Sequence, residues 1–245
     1  MTLVETSTQA LEAKLTRRDV LSDVERQALA ELLEPPRRVA AGSVLVHPGE
    51  QPTSSTLLIE GWVARFSVLR DGRRSFTQLS VAGDFVDLHS LLMKRMDHGV
   101  VALTDCVTAA APHAHLVELS QSQPHLTRML WLDTVIDGAV HREWLHRMGA
   151  QNALGRTAHL LCEMEARLAV VGLAGPDGFD FPLTQTELAD CLGLSAVHAN
   201  RTLMELRRLG LIAWRPGRAR ILDREQLTDL AEFDPAYLRL QSAPV

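Results

Sequence analysis

The sequence predicts an α+β fold: an N-terminal antiparallel β-roll of jelly-roll type, then a long helix, then a C-terminal winged helix–turn–helix. Three observations carry this reading. Between Arg37 and Leu119, short apolar runs recur about every ten residues, separated by Gly and Pro turns. From Met129 to Met148 apolar residues recur at three or four positions, the period of a helix. From Leu183 to Leu222, two short capped helical patterns precede two apolar runs around Pro216-Gly217.

Taken in order, Ser22 and Glu25 form a capping box opening a short helix with Val24, Ala28, Leu29, Leu32 and Leu33 inward, and Pro35-Pro36 ends it. The runs SVLV, STLLIEG, WVARFSVL, SFTQLS, GVVAL and AHLVEL follow, with turns at Pro48-Gly49 and Asp71-Gly72. They read as antiparallel strands closing into a roll. Phe85 to Met96 interrupts them as a short helix. His113-Ala-His115 falls in the last run, where alternate side chains share a face.

The long helical segment places Met129, Leu132, Ile136, Val140, Trp144 and Met148 on one side, and Asp133, Asp137, His141 and Arg142 on the other. This predicts a dimerisation helix with Met129, Leu132, Ile136, Val140 and Trp144 at the seam and the charged side in solvent. Gly138 costs a helix roughly 0.8–1.0 kcal/mol relative to alanine, which suits a place where two backbones come close. After a bend near Gly149–Asn152, a second helix from Gly155 to about Val171 buries Leu160, Leu161, Met164 and Leu168. The expected domains are 1–119 (roll), 120–151 (dimerisation helix) and 152–235 (helix–turn–helix with wing).

Leu183 to Ile212 carries the chemistry. Thr184 and Glu187 make a second capping box, Leu188, Ala189 and Leu192 face inward, and Gly193 suits a helix C-cap. Ser195 caps the next helix, which anchors on Ala199, Leu203 and Leu206 and turns Val197, Asn200, Arg201, Met204 and Arg208 outward. One anchored face and one polar, basic face is the division of labour of a recognition helix in a major groove. Pro216-Gly217 then turns a hairpin with Arg215, Arg218 and Arg220 near its tip, a basic wing suited to phosphates. Thr184 to Leu222 holds six arginines against three acids, although the whole chain has a net charge of −5. A basic patch on an acidic chain marks a discrete nucleic-acid module. Arginine runs are often solvated faces only, but the wing decides for double-stranded DNA.

The remaining composition excludes other classes. At 245 residues, 46% hydrophobic and 22% charged, the chain reads as a soluble globular protein of one large or two modest domains. Met1 to Ala10 is polar, and no run approaches the roughly 18 apolar residues of a membrane span, so a cytoplasmic address without membrane partners is expected. Cys106, Cys162 and Cys191 are far apart and never paired as C-x-x-C, which argues against disulfides, zinc ribbons or a [4Fe-4S] cluster.

A roll, a connecting helix and a terminal winged helix–turn–helix, in that order, resembles the Crp/Fnr superfamily of bacterial transcription regulators. The resemblance runs from Leu21 to about Leu230 and is most specific over Thr184–Ile212 and over GSVLVHPGE…LLIEGWVARF…DGRRSFTQLSVAGDFVDL. It implies a homodimer on an operator, and an RNA polymerase partner if the protein activates. It also implies that the positions of Ala196, Val197 and Arg201 face base edges. Many members carry a glutamate at the position held here by Val197. Arg201 then reads a guanine, Asn200 an adenine and Val197 a thymine methyl, with Thr184, Gln185, Ser195, His198 and Arg218 on phosphates.

Gly83-Asp84-Phe85 looks like the opening of the family's phosphate-binding cassette, but the resemblance then departs. Asp87-Leu88 stands where cyclic-AMP-responsive members have Gly-Glu, and His98-Gly99 where they have Arg-Ser. Leu88 cannot accept a ribose hydroxyl, and Asp87 and Arg95 are the nearest substitutes. Cyclic AMP is therefore not expected in the pocket of Asp87, Leu88, Arg95 and His98. An oxygen-sensing cluster would need N-terminal cysteines, and no cysteine precedes Cys106. Ten histidines, with His113 and His115 paired and His89 and His98 in the cassette, leave a haem- or metal-dependent sensor as the alternative. A metal-dependent, cupin-like enzyme is the rival of another class. It lacks a His-x-Asp/Glu triad and a nucleophile with its base, so no catalytic or metal-ligating residue is assigned.

Overall fold

The computed structural model describes residues 3–242. Two helices open the chain, α1 (Leu3–Thr16) and α2 (Asp23–Leu32). The expected box caps α2: Ser22 Oγ accepts from Glu25 N at 3.3 Å, and Glu25 Oε2 accepts from Ser22 N at 2.9 Å. No feature of the sequence reading anticipated α1, whose polar composition hides Leu11 and Leu15, both buried.

The roll follows as β1 (Arg37–Val39), β2 (Val44–Val46), β3 (Ser54–Glu60), β4 (Val63–Val68), β5 (Arg74–Ser80), α3 (Ser90–Met93), β6 (Gly99–Ala102) and β7 (Cys106–Pro112). One antiparallel sheet has the order β1-β7-β3 and the other β2-β6-β4-β5. Leu58 and Cys106 from the first sheet meet Val46, Val63, Val100 and Ala102 from the second in one core. Period-two alternation thus buries one face of each sheet against the other.

The last expected strand is a helix instead, α4 (His113–Ser122). Pro112 ends β7, and Leu116 and Leu119, three apart, are buried as a helix requires. His113 and His115 therefore diverge by about 200° around an axis and share no face.

In helix α5 (Pro124–Ala150) the chain itself covers most of the residues expected at the seam. Met129, Ile136, Val140 and Trp144 are buried by the chain's own packing, and Leu132 is half-buried. Exposed instead are Trp131 at 66%, Val135 at 51% and Leu145 at 71%. Asp133 and Asp137, assigned to the opposite face, lie on the covered side, because at about 100° per residue they fall beside Met129, Ile136 and Val140. The segment carries apolar residues on both sides, so its period could not say which one the chain itself covers.

Asn152 caps α6 (Ala153–Val170), accepting from Gly155 N at 3.0 Å. Then come β8 (Ala174–Gly175), β9 (Gly178–Phe181), α7 (Gln185–Leu192), α8 (Ala196–Arg208), β10 (Ile212–Arg215), β11 (Gly217–Ile221) and α9 (Arg224–Ala231). A sheet of order β10-β11-β9-β8 carries the wing.

By contact density the described residues form two compact units. One holds 3–67, 79–138 and 239–242, and the other 68–78 and 139–238. Of helix α5, residues 124–138 belong to the first unit and 139–150 to the second. No helix among the described residues is long and apolar enough to cross a membrane.

Candidate nucleic-acid interface and effector pocket

Local rules build the interface. Thr184 Oγ1 accepts from Glu187 N at 3.2 Å, and Glu187 Oε2 accepts from Thr184 N at 2.8 Å, so α7 starts where the sequence said. Gly193 takes φ 61°, the left-handed conformation that ends α7 without strain, and its N–H bonds to Ala189 O. Ser195 Oγ accepts from His198 N at 3.3 Å and opens α8. Ala199, Thr202, Leu203 and Leu206 are buried. Val197, His198, Asn200, Arg201, Met204 and Arg208 are exposed, with Ser195, Thr184 and Gln185 exposed beside them. Every expected DNA-contacting side chain of this pair of helices is on the surface.

Two of the expected cations already hold partners. Arg208 makes a two-pronged pair with Glu205, at 2.8 Å and 2.6 Å. Glu205 raises the pKa of Arg208 above its ordinary value. Arg218 donates to Asp180 at 3.0 Å, its cross-strand neighbour on β9. Both pairs are solvent-exposed, where ion pairs are weak and phosphates compete readily.

The hairpin register orders the wing. Arg215 faces Arg218, and Ala213 faces Arg220. With side chains alternating along each strand, Arg215, Arg218 and Arg220 occupy one face, while buried Ile212 and Ala219 belong to the other. Like charges directly opposite destabilise a hairpin, so this face gains stability when an anion lies on it. Gly217, at φ 80° after Pro216, makes the turn that holds the face in place.

The cassette region is arranged differently from its expected form. Asp87 is buried, with Oδ1 accepting from Thr56 N at 2.6 Å and Oδ2 without a partner. Burial pushes its carboxyl up to about 7, opposed by the Thr56 amide and by nearby Arg65. Leu88 packs against the hydrophobic core. Arg95 is exposed and donates to Gly49 O at 2.8 Å, so it does not complement Asp87. His98 Nδ1 lies 2.7 Å from Asp97 and its ring 5.1 Å from that of His89. Burial and the Arg65 charge hold the His98 pKa low, and burial pushes His89 down to about 4. The phenyl ring of Phe66 fills the space where a side chain at Gly99 would begin.

The residue that sequence reasoning missed is Arg65. It lies buried on β4, donates from Nε to Val86 O at 2.9 Å, and forms an ion pair with Asp137 of α5. The only signal was a charged residue within the apolar run WVARF. His113 Nε2 lies 3.1 Å from Ser90 Oγ and 3.3 Å from Ser55 Oγ. Among the described residues no group of three His, Cys, Asp or Glu side chains is placed to hold a metal ion.

Comparison with known proteins agrees with this geometry. Residues 155–230 match the Crp-like helix-turn-helix domain, and residues 36–123 match the cyclic nucleotide-binding domain. The chain is similar to the transcriptional activator protein FnrL of Cereibacter sphaeroides, 29% identical over 194 residues, 78% of this chain and 77% of that one. It is also similar to the nitrogen fixation regulation protein FixK of Bradyrhizobium diazoefficiens, 26% identical over 215 residues, 86% of this chain and 89% of that one. The solved structure of FixK2 from Bradyrhizobium japonicum shares the fold with TM-score 0.73 at 20% identity, over 81% of this chain and 96% of that one. A β-roll of this type joined to a helix–turn–helix defines a transcription regulator rather than an enzyme. The chain belongs to the Crp/Fnr superfamily.

Proposed function

We propose that the protein binds a two-fold-symmetric operator as a homodimer, with α8 in the major groove and the β10–β11 wing on phosphates. The observation that carries this is the exposed arginine face of the wing in the same unit as the exposed face of α8. Arg201 donates to a guanine, Asn200 reads an adenine and Val197 meets a thymine methyl, while Thr184, Gln185, Ser195, His198, Arg208 and Arg218 serve phosphates. Two half-sites require a dimer, and α5 supplies its surface. Exposed Trp131, Val135 and Leu145 recur with Gly138 and Arg142 at spacings of three and four, a seam with Gly138 at its close approach.

The pocket residues do not fit a cyclic nucleotide. Leu88 offers no acceptor for a ribose hydroxyl, Gly99 no donor for a phosphate, and His98 is held neutral beside Asp97. We infer regulation of transcription in the cytoplasm without cyclic AMP, and activation through RNA polymerase, in line with the activator names of the relatives.

Selection of duplexes from a random library tests the reading, with the parent protein and Arg201→Ala side by side. The parent should return two half-sites about one helical turn apart. Arg201→Ala should lose about 1–3 kcal/mol and relax one base pair per half-site. An unchanged motif with Arg201→Ala would overturn the reading head.

A further inference from the structure

On a helical wheel at about 100° per residue, Met129, Asp133, Ile136, Asp137 and Val140 of α5 share one side, and Trp131, Val135 and Gly138 the other. The covered side therefore carries two carboxylates, and both are neutralised from within the chain. Asp133 takes Lys14 of α1 at 3.2 Å and Arg18, just after α1, at 2.9 Å. Asp137 takes Arg65 of the roll. Lys14 also bonds Asp84, at 2.6 Å, and Gly83 O, at 3.2 Å. Gly83 is at φ 85°, and a Cβ there would stand 2.7 Å from the backbone of Ala10, so α1 lies tight on the cassette opening. Lys14, Arg18, Asp84 and Asp133 thus form one partly buried cluster of cassette, N-terminal helix and long helix, and Arg65 with Asp137 adds a second pair on the same side of α5.

A buried carboxylate deprived of its cation is costly, so the pairs fix the rotation of α5 about its own axis. That rotation keeps the apolar stripe of Trp131 and Val135 outward. Arg65, meanwhile, joins the cassette at Val86 to the long helix. A small effector shifts a conformational equilibrium only by its differential affinity for two states. Where the chain's own cations already hold one state, no effector is required to select it.

We propose that the pairs of Lys14, Arg18 and Arg65 with Asp133 and Asp137 form an internal ionic clasp that holds the dimer-forming, operator-binding state without any small ligand. The inference rests on the DNA-binding reading above, and its test separates the two. The full-length protein is purified, checked by native mass spectrometry, and measured for self-association by sedimentation and for affinity to the library-selected duplex. Expected are a bare protein mass, an affinity unchanged by cyclic AMP or cyclic GMP at millimolar concentration, and a dimer without additives. Asp137→Asn and Asp133→Asn should each weaken dimerisation and duplex binding by about tenfold or more. Lys14→Met, which leaves Asp133 paired with Arg18, should do so less and serves if the others fail to fold. A retained ligand mass, a cyclic nucleotide required for binding, or variants that fold and dimerise like the parent would overturn the clasp. A parent that dimerises but selects no duplex would refute the DNA reading and leave the dimerisation arm to judge the clasp.

Discussion

Trp144 Nε1 donates to Glu163 Oε2 at 3.0 Å, and this oxygen also accepts from Tyr237 Oη at 2.7 Å. Arg167 donates to the other oxygen at 3.1 Å, so a fully buried carboxylate is surrounded by donors from α5, α6 and the C-terminal turn. Glu163→Ala removes the charge and strands all three partners. The expected loss is about 3–5 kcal/mol. Trp144→Phe removes one charge-assisted bond and should cost about 1.5–3 kcal/mol. Urea unfolding of both variants checks the order, and equal losses would contradict it.

The proposed dimer surface can be separated from the core on the same helix. Val135→Asp and Leu145→Asp place charges on the exposed stripe, so monomers with near-parental melting are expected. Ile136→Asp buries an unpaired charge and should unfold the protein rather than dissociate it. Sedimentation and thermal melts of the three variants decide this. A dimeric Val135→Asp/Leu145→Asp double variant would place the seam elsewhere.

Acid should destabilise the unit containing His159. Burial, with Arg147 nearby, pushes this imidazole down to about 3; it stacks on Tyr237, meets Phe233 edge-on and lies 3.5 Å from Glu143. The unfolded chain takes up the proton first, so this contribution is complete above about pH 6.5 and is lost as pH falls toward 3. His159→Phe should flatten the dependence of the urea midpoint between pH 7 and 5, by about the range these pKa values define.

Asp87 works in the opposite sense. Its folded carboxyl titrates at about 7, well above the ordinary carboxylate value, so the unfolded chain releases its proton first. Stability from this group is present at low pH and is lost as pH rises from about 4 to 7. Asp87→Asn should therefore gain on the parent as pH rises through this range. Because the two trends oppose each other, only the single variants reveal either.

On the proposed DNA-binding reading, Glu205 tempers α8. Glu205→Gln releases Arg208 from its two-pronged pair and removes a negative charge. Binding should tighten for all sequences, with a salt slope steeper by about 0.9 if Arg208 then takes one more phosphate. Arg215→Ala and Arg218→Ala should each weaken all sequences and flatten the slope. Fluorescence anisotropy across a salt series measures both, and a slope insensitive to all three changes would remove these arginines from the interface.

The helix–turn–helix and its wing were legible because short-range rules govern them. Thr184 caps with Glu187 three residues on, Gly193 supplies the left-handed C-cap, and Pro216-Gly217 fixes a turn whose register then sorts the arginines. The strands of the roll were legible for the same reason, through turns and alternation. The run at His113 was misread because six residues of mixed character fit either period, and only the burial of Leu116 and Leu119 selects the helix.

By itself, the sequence determined the order of roll, long helix and winged helix–turn–helix, though not α1 or the helical state of α4, together with the caps of α2, α7 and α8 and which side of α8 faces outward, since each depends on residues within a few positions of one another. It also placed Leu88 and Gly99, which carry no polar side-chain atom, where the resembled cassette has a glutamate and a serine. Only the tertiary structure decided which side of α5 the chain covers, that α1 packs on Gly83, and that Arg65 reaches Asp137 across 72 positions. A helix with apolar residues on both sides has no local preference between them. Its orientation follows from burying the larger surface together with carboxylates whose cations come from distant parts of the chain.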